Sequence, residues 1–279
     1  MQPMTIEQDA YRIAPDTWVI PHLVPSGPET LASINSLVIA GREPVIVDTG
    51  AAVNRGRWLS QVFSIVDPED VRWVFLSHAD RDHIGNLDAV LAACPNAVVV
   101  TTYWGVIYML ADGMPPLTRM RWVNDGESFD AGDRTLRAVC PPLWDGANTR
   151  GLFDPKTGVY WAADCFGSHL THPVTSAADL DPTFWRESLV DQGRVAVAWH
   201  ALLDPHKFDA HVARSADLHP SVVASSHGPV LEGPYVDEAY RLTRHMAELP
   251  PIEQPGQPVL DLLIATVAAV PVPPVPAAV

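Results

Sequence analysis

The sequence predicts an α/β fold, and three observations support this prediction. Short segments rich in β-branched residues alternate with segments whose apolar residues have helical spacing. Of the 279 residues, 47% are hydrophobic, which is enough for a sizeable core. The candidate metal ligands follow predicted strands, which is where α/β proteins place their chemistry. We therefore expect one large α/β domain with a site at the carboxyl ends of its strands.

The chain opens with three predicted strands, which are Thr17 to Val24, Ile34 to Ile39 and Val45 to Val47. The third ends in Asp48. An aspartate in this position usually accepts hydrogen bonds within the structure, so we expect it to support a site rather than to bind metal. The segment from Arg57 to Val66 follows, and its apolar spacing predicts a helix with one face on the core.

The rest of the chain continues the alternation. Further strands are predicted at Val71 to Leu76, Ala97 to Thr101, Arg121 to Val123, Leu136 to Val139, Val159 to Ala163 and Ser221 to Ala224. Helices are predicted at Ile84 to Cys94, Trp104 to Leu110, Pro182 to Leu203, Phe208 to Leu218 and Val236 to Leu249. No linker divides the chain before about residue 250. We expect one domain over residues 1–249 and a proline-rich, apolar tail over residues 250–279 that suits an oligomer contact.

Composition restricts the partners and the compartment. The formal net charge of −15 repels phosphate backbones, so a nucleic-acid partner is not expected. The three cysteines have no C-x-x-C spacing, which indicates a reducing compartment. The first residues lack the basic flank and apolar core of a signal peptide, and prolines interrupt the one long apolar stretch, Val259 to Val279. We expect a cytoplasmic protein without a membrane partner.

A compact polar motif, S-H-A-D-R-D-H-I-G-N, follows the predicted strand that ends at Leu76. Its two imidazoles and two carboxylates belong to His78, Asp80, Asp82 and His83. Both are ligand types that bind first-row divalent metals, and on one turn they can converge on one point. The alternative is a solvated polar loop, since charged residues between a strand and a helix are usually only that. More distant ligands decide between the two.

Two later strands end in such ligands. Asp164 lies in A-D-C-F-G-S-H, and His227 lies in S-S-H-G-P. Together with the loop they predict a metal site. His169 follows Asp164 by five positions and is a candidate proton donor near the metals, although a hydrogen-bonded loop histidine fits its position equally well.

In order and context, these motifs resemble those of the metallo-β-lactamase superfamily over about residues 17 to 233. That family carries a strand-end Asp-Thr-Gly, a His-x-His-x-Asp-His loop, a third histidine, a bridging aspartate and a late histidine. The resemblance implies an αββα sandwich. Asp80 stands where most hydrolases of the family have the second histidine of the loop. An acidic residue there resembles the di-iron branch, the flavodiiron proteins and their relatives, which carry glutamate.

The resemblance also implies two metal ions and a ligand set. One ion would be held by His78, Asp80 and Asp145, the other by Asp82, His83 and His227, with Asp164 bridging them. Asp145 stands where the di-iron branch has its third histidine, nineteen positions before the bridging aspartate. A loop aspartate without a ligand role is the alternative for this residue. The oxygen-rich set favours iron or manganese, with zinc as a further option.

Two catalytic or ligand-binding functions and one purely structural role are consistent with this site. We favour a hydrolase whose metal-bridging hydroxide attacks a small, largely apolar ester, lactone or activated aryl ether, because hydrolysis needs no electron donor. Asp80, Asp82 or His169 would relay the proton.

The alternative is a di-iron protein that binds or reduces oxygen or nitric oxide. It would need a separate electron donor, since the sequence shows no flavodoxin domain. The third is an inactive structural subunit of a larger enzyme, and in each case we expect a homo- or hetero-oligomer.

Overall fold

The computed structural model describes residues 6–27, 29–111, 113 and 115–268. The fifteen strands in this part of the chain are β1 (Tyr11–Ala14), β2 (Thr17–Ile20), β3 (Leu23–Pro25), β4 (Leu31–Ser33), β5 (Ser36–Ile39), β6 (Val45–Val47), β7 (Trp73–Phe75), β8 (Val98–Thr101), β9 (Met120–Trp122), β10 (Ser128–Asp130), β11 (Thr135–Val139), β12 (Gly151–Asp154), β13 (Val159–Trp161), β14 (Val222–Ala224) and β15 (Leu231–Glu232).

The α-helices of the described residues are α1 (Arg55–Ile65), α2 (Arg81–Ile84), α3 (Leu87–Ala93), α4 (Tyr103–Met109), α5 (Pro182–Ala196), α6 (Pro205–Ala216), α7 (Pro234–His245) and α8 (Gln257–Ala268). Two of them begin with a proline after an aspartate whose carboxylate caps the helix. Asp181 accepts from two backbone N–H groups at the start of α5, and Asp204 accepts from one at the start of α6. Such caps satisfy donors that have no partner inside the helix.

The strands form two main sheets. The first has the order β1-β2-β5-β6-β7-β8-β9, the second has the order β10-β11-β12-β13-β14-β15, and β3 and β4 pair separately. In the first sheet β6, β7, β8 and β9 run parallel, and in the second β13 and β14 run parallel. Parallel pairs require crossover connections, and helices of the outer layers supply them.

Three hydrophobic clusters define four layers. Between the sheets, Phe75 of the first sheet packs with Phe129 and Trp161 of the second. The outer face of the first sheet is covered by α1, α3 and α4, and that of the second by α5, α6 and α7. Every residue of β5 and β6 is buried, because both faces of these strands are covered. The predicted αββα sandwich is therefore confirmed.

The elements differ from the sequence prediction in detail. The predicted first strand is two strands, β2 and β3, separated at Pro21 and His22. The predicted helix from Ile84 to Cys94 is divided into α2 and α3. Several strands of two to four residues were missed, because so short a segment shows no periodicity. These strands are β1, β4, β10, β12 and β15.

The predicted tail begins after α7 and contains α8. The side chains of Leu260, Leu262 and Ile264 in this helix are exposed and do not join the hydrophobic clusters. The four prolines from Pro271 to Pro276 lie outside the described residues. The division of the chain near residue 250 remains a prediction. Within the described ranges, no helix has the length and apolar character needed to cross a membrane.

Candidate metal centre

The ligands predicted from sequence follow the ends of parallel strands in both sheets. Asp48 follows β6 and the loop of His78 follows β7, which are neighbours in the first sheet. Asp164 follows β13 and His227 follows β14, which are neighbours in the second. Because the two sheets pack face to face, these strand ends meet at one edge of the sandwich.

The first group of ligands surrounds His78. Its Nε2 lies 3.9 Å from Oδ2 of Asp80 and 3.9 Å from Oδ2 of Asp145. The same nitrogen lies 3.4 Å from Oδ2 of Asp164. The loop that carries Asp145 therefore brings this carboxylate to the place where the family resemblance puts a ligand. One ligand atom from each of His78, Asp80 and Asp145 fits a single ion site.

The second group surrounds Asp82. Its Oδ2 lies 3.5 Å from Nε2 of His83 and 3.5 Å from Nε2 of His227. Oδ1 of Asp164 lies 3.2 Å from the His83 nitrogen and 3.3 Å from the His227 nitrogen. The two oxygens of Asp164 thus face different groups, which is the arrangement of a carboxylate that bridges two ions.

Unsatisfied polar atoms show that these residues fit metal ions. Nε2 of His78, Nε2 of His83 and Oδ1 of Asp164 are buried and have no hydrogen-bond partner. An unsatisfied buried polar atom costs about 1–3 kcal/mol, so such atoms are rarely left facing one another without a ligand. The ion pairs described for the four aspartates of the two groups are all with histidines. Bound cations would supply the missing positive charge.

Asp48 orients the site from behind. Its Oδ2 accepts hydrogen bonds from Ser77 Oγ at 2.6 Å and from Trp161 Nε1 at 3.1 Å, and it lies 3.1 Å from Nδ1 of His83. A carboxylate only accepts, so Nδ1 is the donor and Nε2 is left for a metal. The backbone of Asp48 has φ of 56°, a strained conformation that the surrounding bonds hold in place. This is the supporting role that the sequence predicted.

Two further contacts orient ligands in the same way. Nδ1 of His227 donates to the carbonyl oxygen of Ser33 at 2.8 Å, which leaves its Nε2 toward the cluster. Thr149 Oγ1 donates to Oδ1 of Asp145 at 2.9 Å, which leaves Oδ2 toward His78. Sequence reasoning missed these partners. Ser33 acts through its backbone, which has no signature in sequence, and only the folded loop brings Thr149 to Asp145.

The charges of the cluster shift the pKa values of its histidines and carboxylates. Burial alone lowers the pKa of His83, but the carboxylates of Asp164 and Asp48 outweigh burial and raise the pKa well above its ordinary value. Burial raises the pKa of Asp164, yet the three histidines hold that pKa well below its usual range. In the metal-free cluster these shifts favour protonated imidazoles beside an ionised Asp164. A metal must displace those protons, so its affinity falls as the solution becomes acidic.

One predicted residue is not brought to this cluster. His169 has Nδ1 3.0 Å from Ser26 Oγ, and its backbone N–H donates to Ser188 Oγ at 2.7 Å. No hydrogen bond or ion pair is described between His169 and any of the seven candidate ligands. The hydrogen-bonded loop histidine, which was the alternative for this residue, is the one that these contacts describe.

A cavity opens beside the cluster. It has a volume of about 240 Å³, and its lining includes Asp145, Asp164 and the apolar side chains of Leu143, Phe166 and Val197. A larger cavity of about 380 Å³ lies on the other side of the metal loop, next to α2 and α3. None of the seven ligands lines the larger one. The smaller cavity is therefore the one from which a small molecule would reach the cluster.

Comparison with known proteins shows which proteins the chain is similar to. The family model of the metallo-β-lactamase superfamily matches residues 30–162. Rubredoxin oxygen:oxidoreductase from Desulfovibrio gigas has a similar fold, with a TM-score of 0.74 at 16% identity over 88% of this chain and 63% of that chain. The flavodiiron protein from Giardia intestinalis gives a TM-score of 0.73 at 17% identity over 87% of this chain and 60% of that chain. These comparisons confirm the predicted resemblance to the metallo-β-lactamase superfamily.

The relatives found by sequence are proteins of the di-iron branch that the chain resembles. A putative diflavin flavoprotein A 1 from Thermosynechococcus vestitus is 29% identical over 210 residues, which are 73% of this chain and 35% of that protein. Flavo-diiron protein FprA2 from Clostridium acetobutylicum is 22% identical over 71% of this chain and 49% of its own length. The chain thus spans about a third to a half of the length of these relatives.

These relatives correct one prediction made from the sequence. We expected a hydrolase, because hydrolysis needs no electron donor. The proteins that the chain resembles carry the names of oxidoreductases, such as the anaerobic nitric oxide reductase flavorubredoxin of Pectobacterium atrosepticum. The hydrolase prediction is therefore wrong. It relied on the most frequent use of the fold and gave too little weight to Asp80, the acidic residue that distinguishes this loop.

Proposed function

We propose that this chain is the di-iron domain of an oxidoreductase that binds and reduces dioxygen or nitric oxide with electrons from a separate donor. The observation that carries the proposal is the pair of ligand groups that share Asp164. Each group combines histidine with carboxylate, and the orphaned buried atoms of both face a common space. The names of the relatives support the same chemistry.

The proposal assigns the seven ligands to two iron ions. His78, Asp80 and Asp145 would hold one ion, Asp82, His83 and His227 would hold the other, and Asp164 would offer one carboxylate oxygen to each. Four carboxylates among seven ligands make the site rich in oxygen, which favours iron over zinc. Asp145 is a carboxylate where the branch has a histidine, so the ligands of the ion beside His78 carry more negative charge. Manganese would also suit such a set.

The bound ions would supply one-electron redox chemistry and open positions for a diatomic ligand. The chain itself contributes access and protons. Leu143, Phe166 and Val197 make the neighbouring cavity apolar, which suits a small uncharged molecule better than an anion. Asp80 is the carboxylate of the cluster most open to solvent, with 60% of its side chain exposed. We assign it the exchange of protons between the cluster and water.

The overall reactions define what must be supplied. Reduction of one dioxygen to two waters consumes four electrons and four protons. Reduction of two nitric oxide molecules to nitrous oxide and one water consumes two electrons and two protons. We propose that a donor outside these 279 residues provides the electrons, and that the chain works in a homo- or hetero-oligomer.

Metal content and gas consumption test this function. The protein is purified without added metal, its metals are counted by elemental analysis, and the chemically reduced form is mixed with dioxygen or nitric oxide. We expect two irons per chain and an optical change on mixing, with nitrous oxide detected by mass spectrometry in the second case. His245→Gln, an exposed histidine with a Glu248 neighbour, is the control and should behave as the wild type. A site that takes up only zinc, or reduced iron that leaves both gases unconsumed, would overturn the proposal.

A further inference from the structure

An aromatic surface lies on the outside of the first sheet, far along the chain from most of the ligands. It is formed by Tyr103, Trp104, Ile107, Tyr108 and Trp122, from helix α4 and strand β9. Trp104 is 49% exposed, Tyr108 is 52% exposed and Trp122 is 51% exposed. Single exposed apolar residues are ordinary, but a contiguous group of this kind marks a binding surface.

The rings of this aromatic surface contact one another across two elements. The centroid of the Tyr103 ring lies 5.5 Å from that of Trp104 and 5.4 Å from that of Trp122, and both pairs meet edge to face. The rings thus continue from the helix onto β9, the last strand of the first sheet. By contrast, Trp161 and Trp185 are fully buried, so the fold does place tryptophan in its cores.

The helix beneath the aromatic surface is firmly held. Val106 and Met109, on its other face, are buried against the first sheet. The side chain of Thr102 caps the helix by accepting from the backbone N–H of Gly105 at 3.0 Å. A rigid platform of aromatic rings loses little conformational entropy when a ligand binds, which favours recognition by stacking.

Proline-rich segments are the ligands that such surfaces recognise. The proline ring packs flat on an aromatic face, and proline restricts the backbone before binding, so little ordering is needed. This chain contains such a segment at residues 270–276, V-P-V-P-P-V-P, with four prolines in seven residues. No residue after Asp261 is charged. Among the described residues, the aromatic surface has no such partner. The proline-rich segment has the chemistry that this surface would bind.

The connection to this segment leads away from the cores. Helix α8 ends at Ala268, and the side chains of Val259, Leu260, Leu262 and Ile264 in it are exposed, with Leu262 at 67%. The eleven residues that follow, 269–279, lie outside the described part of the chain. At about 3.1 Å per residue, a stretch of that length can span about 34 Å.

We propose that the aromatic surface binds residues 270–276 of this chain. The same copy or a second copy supplies the segment, and the proline-on-ring contacts are the same in either case. Two copies that exchange their segments would form a closed pair, because each offers one segment and one surface. The proposal concerns a surface that contains none of the seven ligands, so it stands independently of the di-iron function.

Photo-crosslinking in the full-length chain tests this proposal. Benzoylphenylalanine replaces Val275, the protein is irradiated, and the linked peptides are identified by mass spectrometry. We expect links to α4 or β9. In that background, Tyr103→Ser combined with Trp122→Ser should lower their yield about tenfold or more, because aromatic anchors dominate such contacts. Leu202→Ser is the matched control, since Leu202 is 86% exposed and lies outside the aromatic surface.

The outcomes separate the proposal from folding defects and from the proposed function. Pro273→Ala with Pro274→Ala leaves the domain untouched and should also lower the yield of links to α4 and β9. A linked product with the mass of one chain assigns the segment to the same copy, and one with the mass of two assigns it to a second copy; both support the proposal. Links to other elements, or links to α4 and β9 that survive the serine substitutions, would overturn it. Metal content should be unchanged throughout.

Discussion

Two clusters of aspartates in this molecule are neutralised in different ways. In the metal centre, the carboxylates of both ligand groups face histidines, and three buried polar atoms have no partner. In a second cluster, which we call the Arg134 cluster, Asp16, Asp133 and Asp154 surround Arg134. The Arg134 side chain is 1% exposed and donates to Asp154 Oδ2 at 2.8 Å and to Asp133 Oδ2 at 3.1 Å. Lys156 also pairs with Asp133.

The comparison shows which feature indicates a metal. Both clusters bring carboxylates together, so acidity does not distinguish them. In the Arg134 cluster the chain provides its own cation, which helps to hold the pKa values of Asp16 and Asp133 below their ordinary range. In the metal centre the ion pairs described for the four aspartates of the two ligand groups are with imidazoles, and an imidazole can exchange its proton for a metal. An acidic cluster that contains buried polar atoms without a hydrogen-bond partner, and whose described ion pairs are with imidazoles, is the one that fits an ion.

The largest expected effect comes from removing the shared carboxylate. Asp164→Ala takes one oxygen from each ligand group, so both ions should be lost and the metal content should fall from two per chain to near zero. Elemental analysis after gel filtration measures this. Asp191→Ala, which removes an exposed aspartate paired with Arg194, is the control and should keep both ions. Retention of one ion at full occupancy would show that Asp164 does not bridge.

The Arg134 cluster should respond in stability and not in metal content. Arg134→Met removes the cation and leaves Asp154, which is also buried, without its charged partner. Breaking a buried ion pair in this way costs about 3–5 kcal/mol, to be measured as the free energy of unfolding in urea. Arg241→Met, which removes an exposed partner of Glu238, is the control and should cost much less. Equal costs for the two variants would mean that burial of the Arg134 cluster contributes nothing.

The two clusters also differ in how far they could be predicted from the sequence. Four of the metal ligands lie within six positions, so their proximity follows from one turn. Asp164 and His227 were predicted because they end strands, and the family resemblance located Asp145. In the Arg134 cluster the residues are separated by as many as 138 positions, from Asp16 to Asp154, and no motif joins them. Only the pairing of the strands reveals this cluster.

The family resemblance could not decide whether Asp145 is a metal ligand, and a substitution can. Asp145→Asn keeps the shape and the hydrogen bond from Thr149 but removes the charge near His78. We expect one of the two ions to bind about ten- to a hundredfold more weakly, while the ion beside His83 keeps its affinity. Titration of the metal-free protein with iron(II), followed by calorimetry, separates the two sites. If both affinities are unchanged, Asp145 is a loop residue without a ligand role.

The smallest effect is a difference in the pH dependence of stability once the metals are removed. The raised pKa of His83 means that its pairing with Asp164 and Asp48 stabilises the metal-free fold below the unfolded value of about 6.5, and that this contribution is lost as the pH rises through the folded pKa. The lowered pKa values of Asp16 and Asp133 mean that these carboxylates stabilise the fold above about pH 4. This contribution is lost only as the pH falls below that value.

Of the two clusters, therefore, only the metal centre should make stability fall between about pH 6 and about pH 9. Urea unfolding of the chelated wild type and of chelated Asp164→Ala at both pH values isolates this contribution, because the general charge repulsion of a chain with net charge −15 is nearly common to both. The wild type should lose more stability than the variant as the pH rises. An equal or smaller loss would show that the histidines of the empty centre do not hold protons against Asp164, and the contrast between the two clusters would then rest on hydrogen bonding alone.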